Sequence, residues 1–226
     1  MPWHRLESIV YVLGFLHFKM AAADAIHHIF IAPQSVRHDP NGLFQYIGQI
    51  WPKETGKITN RPGFHLMHEV IQHVGIVSQL QCWWQYVREK LGQKSLGDFA
   101  ASKPTWEELV TISKAICIKK VGNAEIDEVH RKKPVDCDQT NENCLIHEQY
   151  FLLYEEITYA MNTGDISWVE SCFVDCAKIF KGCGKHKYAT ELIWYIHDVH
   201  FCYPPGLKYN CIFFVWPASS CWNSWL

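Results

Sequence analysis

A mainly α-helical domain with one short N-terminal strand is the fold this sequence predicts, and three observations carry that reading. Apolar side chains recur at three- and four-residue steps through much of the chain. Proline and glycine clusters punctuate these repeats. One run near the start, "ESIVYVL", is short, apolar and β-branched, as a buried strand would be.

The elements follow in order. From Leu16 to Ile31 the pattern turns helical, with four alanines and no proline until Pro33, and Asp24 is the only carboxylate in it. The turn-rich stretches "DPNGLF" and "WPKETGKITNRPGF" bracket a short helix near Leu43 to Gln49. Phe64, Met67, Val70, Ile71, Val74 and Val77 then mark an amphipathic helix whose other side holds His65, Glu69 and His73. "HEVIQH" on that helix does not make a zinc-protease pair, because His68 and His73 are five apart and diverge by ~140° on an α-helix. The helix continues through "CWWQYVREKLG" and stops at Gly92. "SLGDFAASKPTWEELVTISKAICIKK" supplies one more, with Pro104 in its first turn and Glu107 and Glu108 near the positive end of the dipole.

Residues 122–143 carry mixed charge and few large apolar side chains, so they read as a solvated connector. After them "LIHEQYFLLYEEITYAMN" is helical and closes at "NTGD", which places Asp165 to cap the next helix. Ile166, Val169, Phe173, Ala177 and Phe180 form that helix's apolar stripe, and Gly182 and Gly184 end it. A last helix runs from Tyr188 to about Phe201, with Pro204 and Pro205 beyond it.

Composition bounds what such a chain does. With 226 residues it buries roughly 70% of its unfolded surface and folds without staples. A hydrophobic share of 48% excludes a disordered chain. Lys and Arg total 21 against 23 Asp and Glu, so no whole-molecule field attracts nucleic acid or an anionic membrane, and any such contact is local. The N-terminus imitates a signal peptide, but Glu7 sits in its basic region and His17 and Lys19 interrupt the approach to a cleavage site. The expectation is an intracellular protein whose ten cysteines are reduced and packed as small hydrophobes. No apolar run reaches the ~20 residues of a membrane span, so no membrane partner is expected.

Two clusters carry chemistry. Cys172, Cys176 and Cys183 fall within ~40° on a helical wheel and His186 follows, a set of zinc-ligand types. A continuous amphipathic helix does not curl around an ion as zinc knuckles do, so zinc is not expected. "KGCGKHKY" is a glycine-broken junction that gathers Lys181, Lys185, His186 and Lys187. Cations beside exposed glycine amides suit phosphate, against the plainer reading of a solvated turn.

Six separated blocks, among them "GFLHFKMAAADAI", "PGFHLMHEVIQHVGIVSQLQCW", "FLLYEEITYAMNTGDISWVESCF" and "GKHKYATELIWYIHDVHFCYPPGL", resemble the fungal domain-of-unknown-function family numbered 6589 from about Trp3 to Asn210. The resemblance implies one helical family domain over residues 1–210, with 211–226 a divergent tail set aside as a gene-model artefact or altered reading frame. A looser similarity, carried by the Gly-Asp-headed helix, the Gly-Lys-His-x-Tyr-Ala junction and a strand leading into Gly-x-x-His, is to transposon-derived proteins with an RNase H-like core. That similarity implies an alternative fold, a partial α/β core with a helical insertion. It also implies Asp24 as an early catalytic carboxylate and Asp165 or Glu170 as a late one around magnesium or manganese, and Lys181, Lys185, His186 and Lys187 as nucleic-acid contacts. The block that carries a Gly-Asp strand in the family lies upstream of where this chain starts, and a core missing one ligand binds metal poorly. The expected reading is therefore an uncharacterised mobile-element remnant without catalysis or cofactor, with weak DNA contact at the junction. A helical protein-interaction module is the second reading and a metal-dependent nuclease the third.

Overall fold

The computed structural model describes residues 14–40, 42–121 and 139–208. The expected strand at residues 7–13, most of the expected connector and the divergent tail lie outside the described residues. Within them the chain is mainly α-helical and contains no β-strand. The α-helices of the described residues are, in order, α1 (Phe15–Phe30), α2 (Leu43–Ile50), α3 (Thr55–Asn60), α4 (Gly63–Leu91), α5 (Leu96–Ala101), α6 (Trp106–Lys120), α7 (Gln139–Thr163), α8 (Ile166–Ser171), α9 (Phe173–Gly182) and α10 (His186–His197), with a 3-10 turn at Ser35–His38. A π turn, Asp198–Cys202, continues α10. No helix among the described residues is long and apolar enough to cross a membrane.

These residues fall into two compact units, residues 26–152 and residues 14–25 with 153–208, so that α1 and α7 contribute to both. In the first unit, the stripe of α4 delivers Met67, Val70, Ile71 and Val74 to the core, while His65, Glu69 and His73 stay exposed. Gly75 of α4 faces the Phe151 ring, which an added Cβ would meet at ordinary van der Waals contact, 3.4 Å. His27 donates from Nε2 to the Ile58 carbonyl at 2.8 Å, which fixes the end of α1 against α3 without leaving a buried imidazole N–H unpaired. The far end of α4 has its own small core of Val87, Phe99 and Ile112.

Where one helix was expected over 95–120, there are two. Ser95 caps α5 by accepting from the Asp98 N–H at 3.0 Å, and Thr105 caps α6 with a full capping box to Glu108. Between them Lys103 adopts φ 52°, and Pro104 precedes the cap rather than entering the first turn. The helix expected from Ile166 through Phe180 is likewise divided at Cys172, and α7 begins at Gln139.

The second unit is built on aromatic packing. Phe18 meets Phe173 edge-on at 5.1 Å between centroids and Phe180 at 6.0 Å, while Phe173 meets Tyr195 at 5.5 Å. Full burial of such rings, each worth several kcal/mol on truncation, holds α1, α9 and α10 together. The α9–α10 connection of three residues makes a tight helical hairpin, and this hairpin presents the basic junction.

Candidate functional site

The junction is a Schellman turn. Gly184 takes φ 82°, a left-handed conformation that a side chain would strain. Its N–H donates to the Lys181 carbonyl at 3.4 Å, and the Lys185 N–H donates to Phe180 at 2.7 Å. The Cys183 N–H is used in turn by Ile179 at 2.9 Å. The amides of residues 183–185 therefore serve the end of α9 and are not offered to an anion.

Those side chains are not equivalent. Lys181, His186 and Lys187 are exposed, whereas the Lys185 side chain is only 19% exposed and its ammonium is ion-paired with the Asp24 carboxylate of α1. Two residues assigned separate roles by sequence, a metal-binding carboxylate and a phosphate contact, are thus partners of each other.

The other two carboxylates are also engaged. Asp165 follows the left-handed Gly164 and accepts the Trp168 N–H at 3.0 Å as the cap of α8, as its place after "NTG" predicts. Glu170 accepts from His200 Nε2 at 2.9 Å, and Lys208 Nζ lies 3.5 Å from His200 Nδ1. The second Glu170 oxygen, Oε1, is buried without a partner. Among the described residues, Asp24, Asp165 and Glu170 do not bring their oxygens together as a group of metal-ligating atoms within 4.8 Å of one another.

Cys172 and Cys176 are buried, and burial pushes the Cys172 thiol up to about 11 and the Cys176 thiol well above its usual range. Such thiols stay protonated and pack as apolar groups. No three of Cys172, Cys176, Cys183 and His186 form a ligand group among the described residues. The group that does form consists of His197, Asp198 and Cys202, on the π turn. Sequence reasoning passes over it because residues five apart diverge on an α-helix.

A separate cavity of about 570 Å³ lies within the unit of residues 26–152. Its lining includes Phe30, Ser78, Cys82, Lys120, His147 and Glu148. Ser78 donates its hydroxyl to Glu148, and burial pushes that carboxyl above its usual range against the opposing pull of this bond and of Lys120. His147 is 9% exposed, lies tilted against Phe151 with ring centroids 4.0 Å apart, and is held neutral to about pH 4 by burial, with Nε2 lacking a partner among the described residues.

A protein-family model described as a family of unknown function (DUF6589) matches residues 1–213. No curated protein and no solved structure matches the chain.

Proposed function

The chain belongs to the family of unknown function DUF6589, and from that premise we propose that it is a non-catalytic, mobile-element-derived domain of fungal origin that touches nucleic-acid phosphate through Lys181, His186 and Lys187. The observation that carries this reading is the ion pair between Lys185 and Asp24. A carboxylate that holds a catalytic divalent ion must offer its charge to the metal, and here an ammonium already takes it. The same pair leaves the exposed cations of the hairpin as the groups free to meet an anionic backbone. Asp165, occupied as a helix cap, and Glu170, bonded to His200, act as structural groups in this reading.

Fluorescence anisotropy with a labelled DNA duplex tests it. Binding is expected at low salt and lost as salt rises, and Lys181→Ala with Lys187→Ala should flatten the salt dependence by about two phosphate contacts, with Tm nearly unchanged. Binding that ignores the double replacement would reject the assignment. Incubation with magnesium or manganese should leave the DNA intact, and cleavage lost in Asp24→Asn would restore the nuclease reading.

A second reading, a helical module that binds protein, draws on one observation: Trp194 and Phe201 are 61% and 79% exposed beside Ile193. Large exposed apolar groups of this kind mark contact surfaces. Replacement of Trp194 and Phe201 by Ser should then abolish a partner captured by the purified chain while leaving DNA binding intact.

A further inference from the structure

We propose that the end of α10 and the π turn after it form a binding site for a thiophilic divalent cation of the zinc class, held by His197 Nδ1, the Asp198 carboxylate and Cys202 Sγ with water in the fourth position. This site is independent of the nucleic-acid reading of the hairpin.

The backbone explains how three donors meet within six residues. On an α-helix Cys202 would point ~140° away from His197. Here the Tyr203 N–H donates to the Asp198 carbonyl, five residues back, at 2.8 Å, so the chain makes one wide turn and residue 202 returns beneath residue 197. The result is convergence: Asp198 Oδ1 lies 3.0 Å and Cys202 Sγ 3.4 Å from the same ring nitrogen, and the three donor atoms sit within 4.8 Å of one another. Metal–ligand bonds of roughly 2.0–2.3 Å in tetrahedral geometry separate neighbouring donors by a little over 3 Å, close to the 3.0 and 3.4 Å spacings at Nδ1.

The arrangement suits a metal better than a proton relay. A nucleophile–base–orienter triad places its acid and its nucleophile on opposite nitrogens of the imidazole. Cys202 Sγ instead sits over the imidazole, nearer Nδ1 at 3.4 Å than Nε2 at 3.9 Å, so the thiol lies over the half of the ring that Asp198 also meets. Charge agrees: a carboxylate and a thiolate neutralise a dication, and the C-terminal end of α10 carries the negative pole of its dipole. The softness of sulfur with one imidazole and one carboxylate selects zinc over magnesium or calcium. His197 and Cys202 are exposed, so the ion reaches them without a rearrangement of the core.

The test uses the full, untagged chain, reduced and freed of metal by chelation, titrated with cobalt(II) as the spectroscopic probe and then with zinc. One equivalent of cobalt should produce a thiolate charge-transfer band and tetrahedral visible bands, both displaced by zinc. Cys202→Ser should remove the charge-transfer band and His197→Ala should weaken zinc binding by more than roughly tenfold, as loss of a metal-site group does. Cys183→Ser, which alters the other cysteine cluster, should change neither. His197 and Cys202 are exposed and Cys183 is half-buried, and unchanged far-ultraviolet circular dichroism will show that each variant folds. Absence of cobalt binding, or a band that survives Cys202→Ser, overturns the proposal.

Discussion

At the scale of single residues, His147 gives the sharpest expectation. An unfolded chain protonates this imidazole near pH 6.5, whereas the folded chain holds it neutral until about 4 because a buried cation is poorly solvated. The unfolded state therefore binds more protons between those values, and stability is lost as pH falls through that window, by at most about 3 kcal/mol. Denaturant titrations of the wild type and of His147→Leu between pH 4 and 7 should show the variant with the flatter dependence. An identical slope in both would assign the acid sensitivity elsewhere. His147 sits among Leu145, Ile146 and Tyr150 in sequence, and nothing in that spacing separates a core histidine from a surface one. Asp24 was legible as a lone carboxylate among alanines, but its partner Lys185 is 161 residues away, and pairing at that distance is a property of the fold rather than of spacing.

At the scale of elements, local rules fixed ends better than continuity. The stops at Gly92, Gly164 and Gly184 and the cap at Asp165 were readable because each depends on a few adjacent residues. The break at Cys172 was not, since its backbone stays in the helical region at φ −79° and ψ −16° and no proline or glycine marks it. The π turn escaped for the same reason: its wider bond is selected by how the segment packs, with Val199 buried and His200 drawn to Glu170. This is also why the cluster of cations at the junction was legible in the sequence and the convergent donors of the π turn were not. Gly184→Ala probes the junction directly. Open space surrounds the position, so no clash arises, but φ 82° remains unfavourable for a side chain, and a loss of about 1 kcal/mol is expected in thermal or denaturant unfolding. A neutral result would mean that the hairpin has relaxed out of the left-handed turn.

At the scale of the whole molecule, the balance of charge and the path of the chain matter most. An isoelectric point near 6.7 leaves no long-range attraction for DNA, so the proposed contact rests on the few cations of one hairpin. The path has a different effect. Residues 26–152 form one unit from a continuous segment, but Phe15 and Phe18 belong with Phe173, Phe180 and Tyr195, from the opposite end of the described sequence. Contacts so distant along the chain close late, because a long loop must be ordered first. Pulse-labelled hydrogen exchange during refolding should therefore protect the amides of Met67–Val74 before those of Phe18–Ala25, and simultaneous protection would contradict that order. On the ribosome the asymmetry becomes a waiting time. The aromatic face at the start of α1 emerges early and stays unpaired through the synthesis of everything up to α9 and α10, at ~5–20 residues per second. A nascent chain of this protein thus carries Phe15 and Phe18 as an open apolar surface for many seconds, long enough for a chaperone to engage it before its own partners are made.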